Sequence, residues 1–258
     1  MLLALSIQPL YAQDDTMKTI SKAVVGMFAL YGAYSLLSSI FGSYQNGVSK
    51  EESLTLQHVN CGDLIIKNTC GSVSIKVWDN NYIQVDATKK AGTQEDLKKL
   101  TIEHVHTSRD ISLISEWDSK VIKHASINYC VNVPTSMKNS HVTTKNGSIY
   151  IKSLVGNHIV RTSNGSIVII NGTTADVSTS NGKVELRDIS GAWKVVSSNG
   201  ALHIESVAGD GTGISSNGSI TVINCNGNNF VQTTNGSIHI INSPNTTGFT
   251  TNGEVKKR

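Results

Sequence analysis

The chain has 258 residues, enough for one or two domains with a sizeable core. Charged residues make up 16 % and aromatics 5 %, with 22 Gly and only 3 Pro, a balance that argues against disorder and for a regular β-rich structure. The net charge of +3, with no basic run beyond Lys256-Lys257-Arg258, argues against nucleic acid as a partner, and four Cys without a Cys-x-x-Cys pair argue against a zinc ribbon, a thioredoxin-type motif or a disulfide framework.

Two apolar stretches open the chain. Residues 2–12 are short and lack a preceding basic segment, whereas residues 23–44 carry no charge, follow Lys18 and Lys22, and are long enough to span a bilayer. Residues 1–44 therefore read as a signal peptide or membrane anchor in an apolar helix. Either residues 1–12 are cleaved, or Met17 begins the signal, with Lys18 and Lys22 on the cytoplasmic side. Both readings export the rest of the chain, to the cell envelope or outer surface. A buried helix of a cytosolic domain is the third possibility.

Residues 45–141 predict less regular β coils. Cys61-Gly62 and Cys70-Gly71, each followed by alternating aliphatics, read as early corners; Ile83 to Ala87 reads as a strand, as do residues 101–106, 110–116 and 126–133. Residues 93–100 predict a short helix with Thr93 as N-cap, serving as a lateral insertion or an end cap.

Residues 142–258 are a repeat. Asn-Gly recurs as Asn146-Gly147, Asn164-Gly165, Asn181-Gly182, Asn199-Gly200, Asn217-Gly218, Asn235-Gly236 and Asn252-Gly253, in steps of 17 or 18 residues. Two positions after Gly stand Ile149, Ile167, Val184, Leu202, Ile220, Ile238 and Val255, and two further on Ile151, Ile169, Leu186, Ile204, Val222 and Ile240. Four before Asn stand Val160, Val177, Val195, Gly213 and Val231; eight after it stand Leu154, Ile189, Val207 and Cys225. A second glycine column is read at Gly156, Gly172, Gly191, Gly209 and Gly227.

A β-meander reverses at each turn and has no need of identical columns, but a coil stacks each residue on its equivalent about 4.8 Å away. The fold class is thus all-β, a single-stranded parallel β-solenoid of 17–18-residue coils. One coil alone cannot offset the entropy of ordering it, so only an array is stable. Asn at a fixed corner can form a side-chain ladder, and the Gly beside it is expected to supply a positive φ.

Candidate chemistry is sparse. His104 and His106 share one face of a strand without a third ligand nearby, and His203 and His239 lie two coils apart with Thr221 between them. Cys225 falls in an aliphatic column and reads as core. The outward column Tyr150, Val168, Glu185, His203, Thr221, His239 and Lys256 holds no recurring acid pair of the kind that carbohydrate-cleaving solenoids need. No catalytic residue, cofactor or metal is assigned. Ile223 and Ile241, one coil apart and facing outward, together with Phe230 and Phe249, are the candidate partner face.

Several segments carry a family resemblance. They are Gly71-Ser72-Val73-Ser74-Ile75 followed by Trp78-Asp79, Ile83-Gln84-Val85-Asp86-Ala87-Thr88-Lys89, Val131-Asn132-Val133-Pro134-Thr135, and Thr144-Lys145-Asn146-Gly147-Ser148-Ile149 with the Thr-Ser-Asn-Gly-Ser-Ile repeats behind it. On these the chain resembles the bacterial putative-adhesin family of cell-envelope β-solenoids over residues 54–258. The resemblance implies a right-handed, exported, non-enzymatic solenoid, and it brings no agreed binding residues. The expected role is an adhesive or structural binding module for an envelope or surface protein or glycan. A self-assembling scaffold and an envelope-stress accessory protein are the alternatives.

Overall fold

The computed structural model describes residues 47–57, 62–107 and 109–258. The helix expected over residues 23–44 and the Cys61 corner lie outside the described residues. Residues 48–258 form one compact unit.

The strands, in chain order, are β1 (Val48–Gln57), β2 (Asp63–Cys70), β3 (Val73–Trp78) and β4 (Tyr82–Ala91), then helix α1 (Gln94–Lys99), then β5 (Glu103–His106), β6 (Asp110–Ser115) and β7 (Ser126–Pro134). The repeat supplies β8 (Asn139–Asn146), β9 (Ile149–Lys152), β10 (Asn157–Asn164), β11 (Ile167–Gly172), β12 (Thr174–Thr179), β13 (Val184–Ile189) and β14 (Trp193–Ser197). It continues with β15 (Leu202–Glu205), β16 (Gly211–Ser215), β17 (Ile220–Ile223), β18 (Asn229–Thr233), β19 (Ile238–Ile241), β20 (Thr246–Thr250) and β21 (Val255–Lys257).

Each coil of the repeat gives one strand to a ten-stranded sheet and the next to an eleven-stranded sheet. From β8/β9 to β20/β21 this makes seven coils, all parallel and in register: Ile149 pairs with Ile167, Ile167 with Val184, Val184 with Leu202, Leu202 with Ile220, and Ile220 with Ile238. Alternation sends every second side chain between the two sheets. The aliphatic columns read from the sequence are buried there, Cys225 among them, except that Val255 on the edge strand β21 is exposed.

The N-terminal part departs from a purely parallel solenoid. The coil β2/β3 stacks directly below β8/β9, with Cys70 opposite Asn146 and Val73 opposite Ile149. The chain then turns back, and β6 and β7 build one coil further out, parallel to β2 and β3. Beyond them β4 runs antiparallel to β7, β1 antiparallel to β4, and β5 antiparallel to β6. Antiparallel strands end a parallel stack because they break the register that another coil would need. Helix α1 packs against β4 and β1, burying Leu97. Thr93 caps it, its hydroxyl accepting from the Asp96 N–H at 3.1 Å. The helix is therefore part of the end cap.

Two sequence expectations about glycine are corrected. None of the Asn-Gly glycines from Gly147 to Gly253 has a positive φ. A Cβ on Gly165 or Gly200 would instead run into the carbonyl oxygen of Gly147 or Gly182 one coil below. The corner needs glycine for close stacking of backbone, not for left-handed geometry. Gly172 also leaves the second glycine column: Thr173 occupies that place, accepting from the Gly191 N–H, while Gly172 packs on the His158 ring. The 17-residue step in that coil shifts the alignment by one.

Candidate binding surfaces

The Asn-Gly corner is an internal structural device. Asn164 Nδ2 donates to Asn146 Oδ1 at 2.6 Å, and the same bond repeats through Asn181, Asn199, Asn217, Asn235 and Asn252 at 2.7–2.8 Å. All the amides point the same way, so each Asn between Asn146 and Asn252 both donates and accepts. Two residues earlier a Ser or Thr points inward, and its hydroxyl donates to a corner-glycine carbonyl one coil below, as Thr233 does to Gly218 at 2.9 Å and Thr250 to Gly236 at 2.8 Å. These bonds satisfy polar groups that burial would otherwise strand.

The left-handed residues of the repeat lie at another corner, seven positions after the ladder Asn: Ser153, Asn171, Asp188, Ser206, Asn224 and Asn242, with φ between 48° and 61°. Asn, Asp and Ser tolerate this region better than branched residues. The column is legible in the sequence once the coils are stacked, but glycine spacing does not reveal it, because Ser, Asn and Asp occupy it.

The four residues of the candidate partner face do not share one surface. Ile223 and Ile241 pair on the eleven-stranded sheet and are half-buried. Phe230 and Phe249 project from the ten-stranded sheet, 42 % and 54 % exposed. Strand parity alone marks both pairs as outward; it does not say which sheet each strand enters.

The outer face of the eleven-stranded sheet is mainly ionic at its centre. Lys183 Nζ lies 2.8 Å from a Glu185 oxygen, and Arg187 Nε lies 2.7 Å from Glu185 and 3.4 Å from Glu205. Burial pushes the Glu185 carboxyl up, but Lys183, Arg187 and His203 together outweigh it and hold the group below the usual carboxylate range. His203 bonds Glu205 at 3.2 Å and stacks beside Thr221, with His239 one coil beyond. Among the described residues no group of three or more His, Cys, Asp or Glu side chains is placed to hold a metal ion. His104 and His106 lie on the exposed edge strand β5.

The outer face of the ten-stranded sheet differs. Val196 and Ile214 pair across β14 and β16 at 36 % and 38 % exposure. Phe230 and Phe249 stand on the next two strands, so large apolar groups gather on its C-terminal half. Beneath them the core is specialised. The Trp193 indole is 3 % exposed, lies against Gly211 and Gly213, and donates from Nε1 to Asn229 Oδ1 at 3.1 Å, two coils away. Asn229 Nδ2 donates in turn to the Gly227 carbonyl at 2.8 Å. Gly213, which interrupts the inward valine column, makes room for this ring.

One buried titratable group lies on β10, in the inward column that Trp193 occupies two coils further on. His158 Nδ1 accepts from the Ser140 hydroxyl at 2.9 Å and Nε2 donates to the Leu154 carbonyl at 2.7 Å. Burial pushes its pKa down, against the Leu154 carbonyl, which raises it. Cys70, Cys130 and Cys225 are free thiols, each pushed up by burial.

Comparison of the sequence with family models and with curated proteins gives no match. The fold does have counterparts among solved structures. The chain is similar to a putative adhesin from Bacteroides fragilis NCTC 9343. That crystal structure aligns with a TM-score of 0.52 at 13 % identity, over 81 % of this chain and 97 % of the other. A putative cell adhesion protein from Clostridium sporogenes ATCC 15579 aligns over 81 % of this chain and 100 % of its own, at 13 % identity and a TM-score of 0.36. At 13 % identity the Bacteroides likeness establishes a shared β-solenoid fold. Among the described residues no helix is long and apolar enough to cross a membrane.

Proposed function

We propose that this protein is an exported, non-enzymatic binding module of the cell envelope or outer surface, which presents the outer face of its ten-stranded sheet to an envelope or surface ligand. The observation that carries this reading is the grouping of Val196, Ile214, Phe230 and Phe249 on one regular face, each more than a third exposed. Several large exposed apolar side chains on one face of a rigid scaffold, here broken only by Gln232 between Ile214 and Phe249, are characteristic of an interaction site. The charge-free stretch over residues 23–44 supports export or anchoring, and the name of the Bacteroides fragilis neighbour agrees with an adhesive role.

A self-assembling scaffold is the less favoured reading. Lys257 Nζ donates to the Pro244 and Thr246 carbonyls at 2.7 and 3.1 Å, so β21 is tied to the start of its own coil's β20.

The test has two parts. Cells producing the full-length protein are fractionated and treated with protease while intact; export requires the protein in the envelope or medium. Purified protein is then incubated with isolated envelopes and with host cells, beside the Phe230→Ser/Phe249→Ser variant. Retention of the wild type and loss in the variant support the reading, whereas a wild type that binds neither surface overturns it. Light scattering on the same sample reports any filament or stack.

A further inference from the structure

The ten-stranded sheet and the corner that precedes it form an open groove of about 630 Å³ across β16, β18 and β20. Its side chains follow three parallel columns. At the corner stand Asp210, Asn228 and Asn245, one per coil and all exposed. Beside them, two residues along each chain, stand Thr212, Phe230 and Thr247. Outside the groove lies the column Ile214, Gln232 and Phe249. The groove itself grades from hydrogen-bonding groups to an aromatic ring flanked by hydroxyls, with neighbouring coils about 4.8 Å apart. Gly211 is required beneath the groove because the buried Trp193 ring fills the space its Cβ would take.

The hydrogen-bonding column is pre-set but not used up. One Asp210 oxygen accepts from the Asn228 N–H at 2.7 Å, and Asn245 Nδ2 donates to the Asn226 carbonyl at 3.2 Å. The second Asp210 oxygen, the Asn228 carboxamide and the Asn245 carbonyl oxygen are left to face a ligand. Carboxylate and carboxamide side chains can bracket adjacent hydroxyls, each accepting from or donating to them. An aromatic face covers the C–H face of a ring that is polar at its rim. A sugar has both kinds of surface, whereas a lipid tail would leave the Asp210 column unpaired in a dry contact.

We propose that this groove is a saccharide-binding subsite, with Asp210, Asn228 and Asn245 taking ring hydroxyls and Phe230 stacking on a ring face of a short neutral oligosaccharide. The proposal rests on the binding-module reading and names its ligand class.

The experiment applies the full-length protein to immobilised tetrasaccharides of N-acetylglucosamine, glucose, mannose and galactose, and measures adhesion to isolated envelopes and host cells in parallel. Phe230→Ala and Asn228→Ala are compared with Thr221→Ala on the opposite sheet, all checked for native circular dichroism. The expected result is saturable binding to at least one tetrasaccharide, weakened tenfold or more by each groove variant and unchanged in Thr221→Ala. Binding that survives both groove variants overturns the subsite. So does adhesion to envelopes or cells without any saccharide binding, which leaves the binding-module reading standing. Failure of the wild type on every surface and every sugar overturns both.

Discussion

At the scale of single residues, the coil repeat divides its glycines into those that stacking requires and those it does not. A methyl group on Gly200 would meet the Gly182 backbone, whereas a Cβ on Gly62 meets nothing within 4 Å. Gly200→Ala is expected to cost about 1–3 kcal/mol by overpacking and Gly62→Ala less than about 0.5 kcal/mol. Urea midpoints of the two variants check this, and equal midpoints would count against close stacking as the reason for glycine. His158 makes a second residue-scale prediction. Its folded pKa lies below the ordinary value of 6.5, so between the two values the unfolded chain binds a proton that the folded chain does not. Stability is therefore unaffected above about pH 6.5 and falls as pH drops from 6.5 toward the folded pKa. Denaturation at pH 7.5, 6.5 and 5.5 should show this loss, and His158→Gln should flatten it. An unchanged slope in the variant would assign the acid sensitivity to other groups.

At the scale of the element, the inward column of the ten-stranded sheet shows how one oversized residue is absorbed. Trp193 replaces the small Ala175 of the coil below, and the coil above answers with Gly211 and Gly213. A Cβ on Gly213 would come within 3.2 Å of both Trp193 and Val231. Gly213→Val would complete the valine column that the repeat suggests, and by pattern alone it should stabilise. Packing argues the reverse: an expected loss of about 1–3 kcal/mol. The loss should shrink when Trp193→Ala is added, because the valine then fills space the indole vacates. A double-mutant cycle in urea measures that coupling, and additive effects would show the two sites to be independent.

At the scale of the whole molecule, stability is distributed along a stack in which each coil touches its neighbours. The inner coils have a paired strand on both sides, while β5 and β21 are edge strands with every side chain exposed. Hydrogen exchange followed by mass spectrometry should therefore show fastest exchange in β5 and β21 and slowest in β10–β17. Uniform exchange along the stack would mean that the array opens as a single unit. The N-terminal end is held differently, by antiparallel strands and by the ion pair of Lys89 with Glu52 at 2.7 Å. Bonds from Lys50 and Lys89 hold the Glu52 carboxyl below its usual range.

Much of this architecture was legible in the sequence because a coil repeat writes its geometry in one dimension. The spacing of Asn146 through Asn252 set the coil length, alternation around Ile149 and Ile151 set which side chains are buried, and Thr93 marked the start of α1. These features depend on contacts at a constant sequence offset, so they repeat in register with the chain. Tertiary structure alone decided the features that lack a constant offset. The antiparallel cap arises where β4, β7 and β1 pair across long separations. Ile223 and Phe230 are both outward by parity and only seven residues apart, yet the corner between their strands sends them to opposite sheets. The groove beside Phe230 joins side chains from three coils, and the glycine beneath it, Gly211, is required because the buried Trp193 ring takes the place of its side chain. A pattern along the chain reports which side of its own strand a residue faces. Which residues of other coils it meets there is set by how the corners turn and how the coils stack.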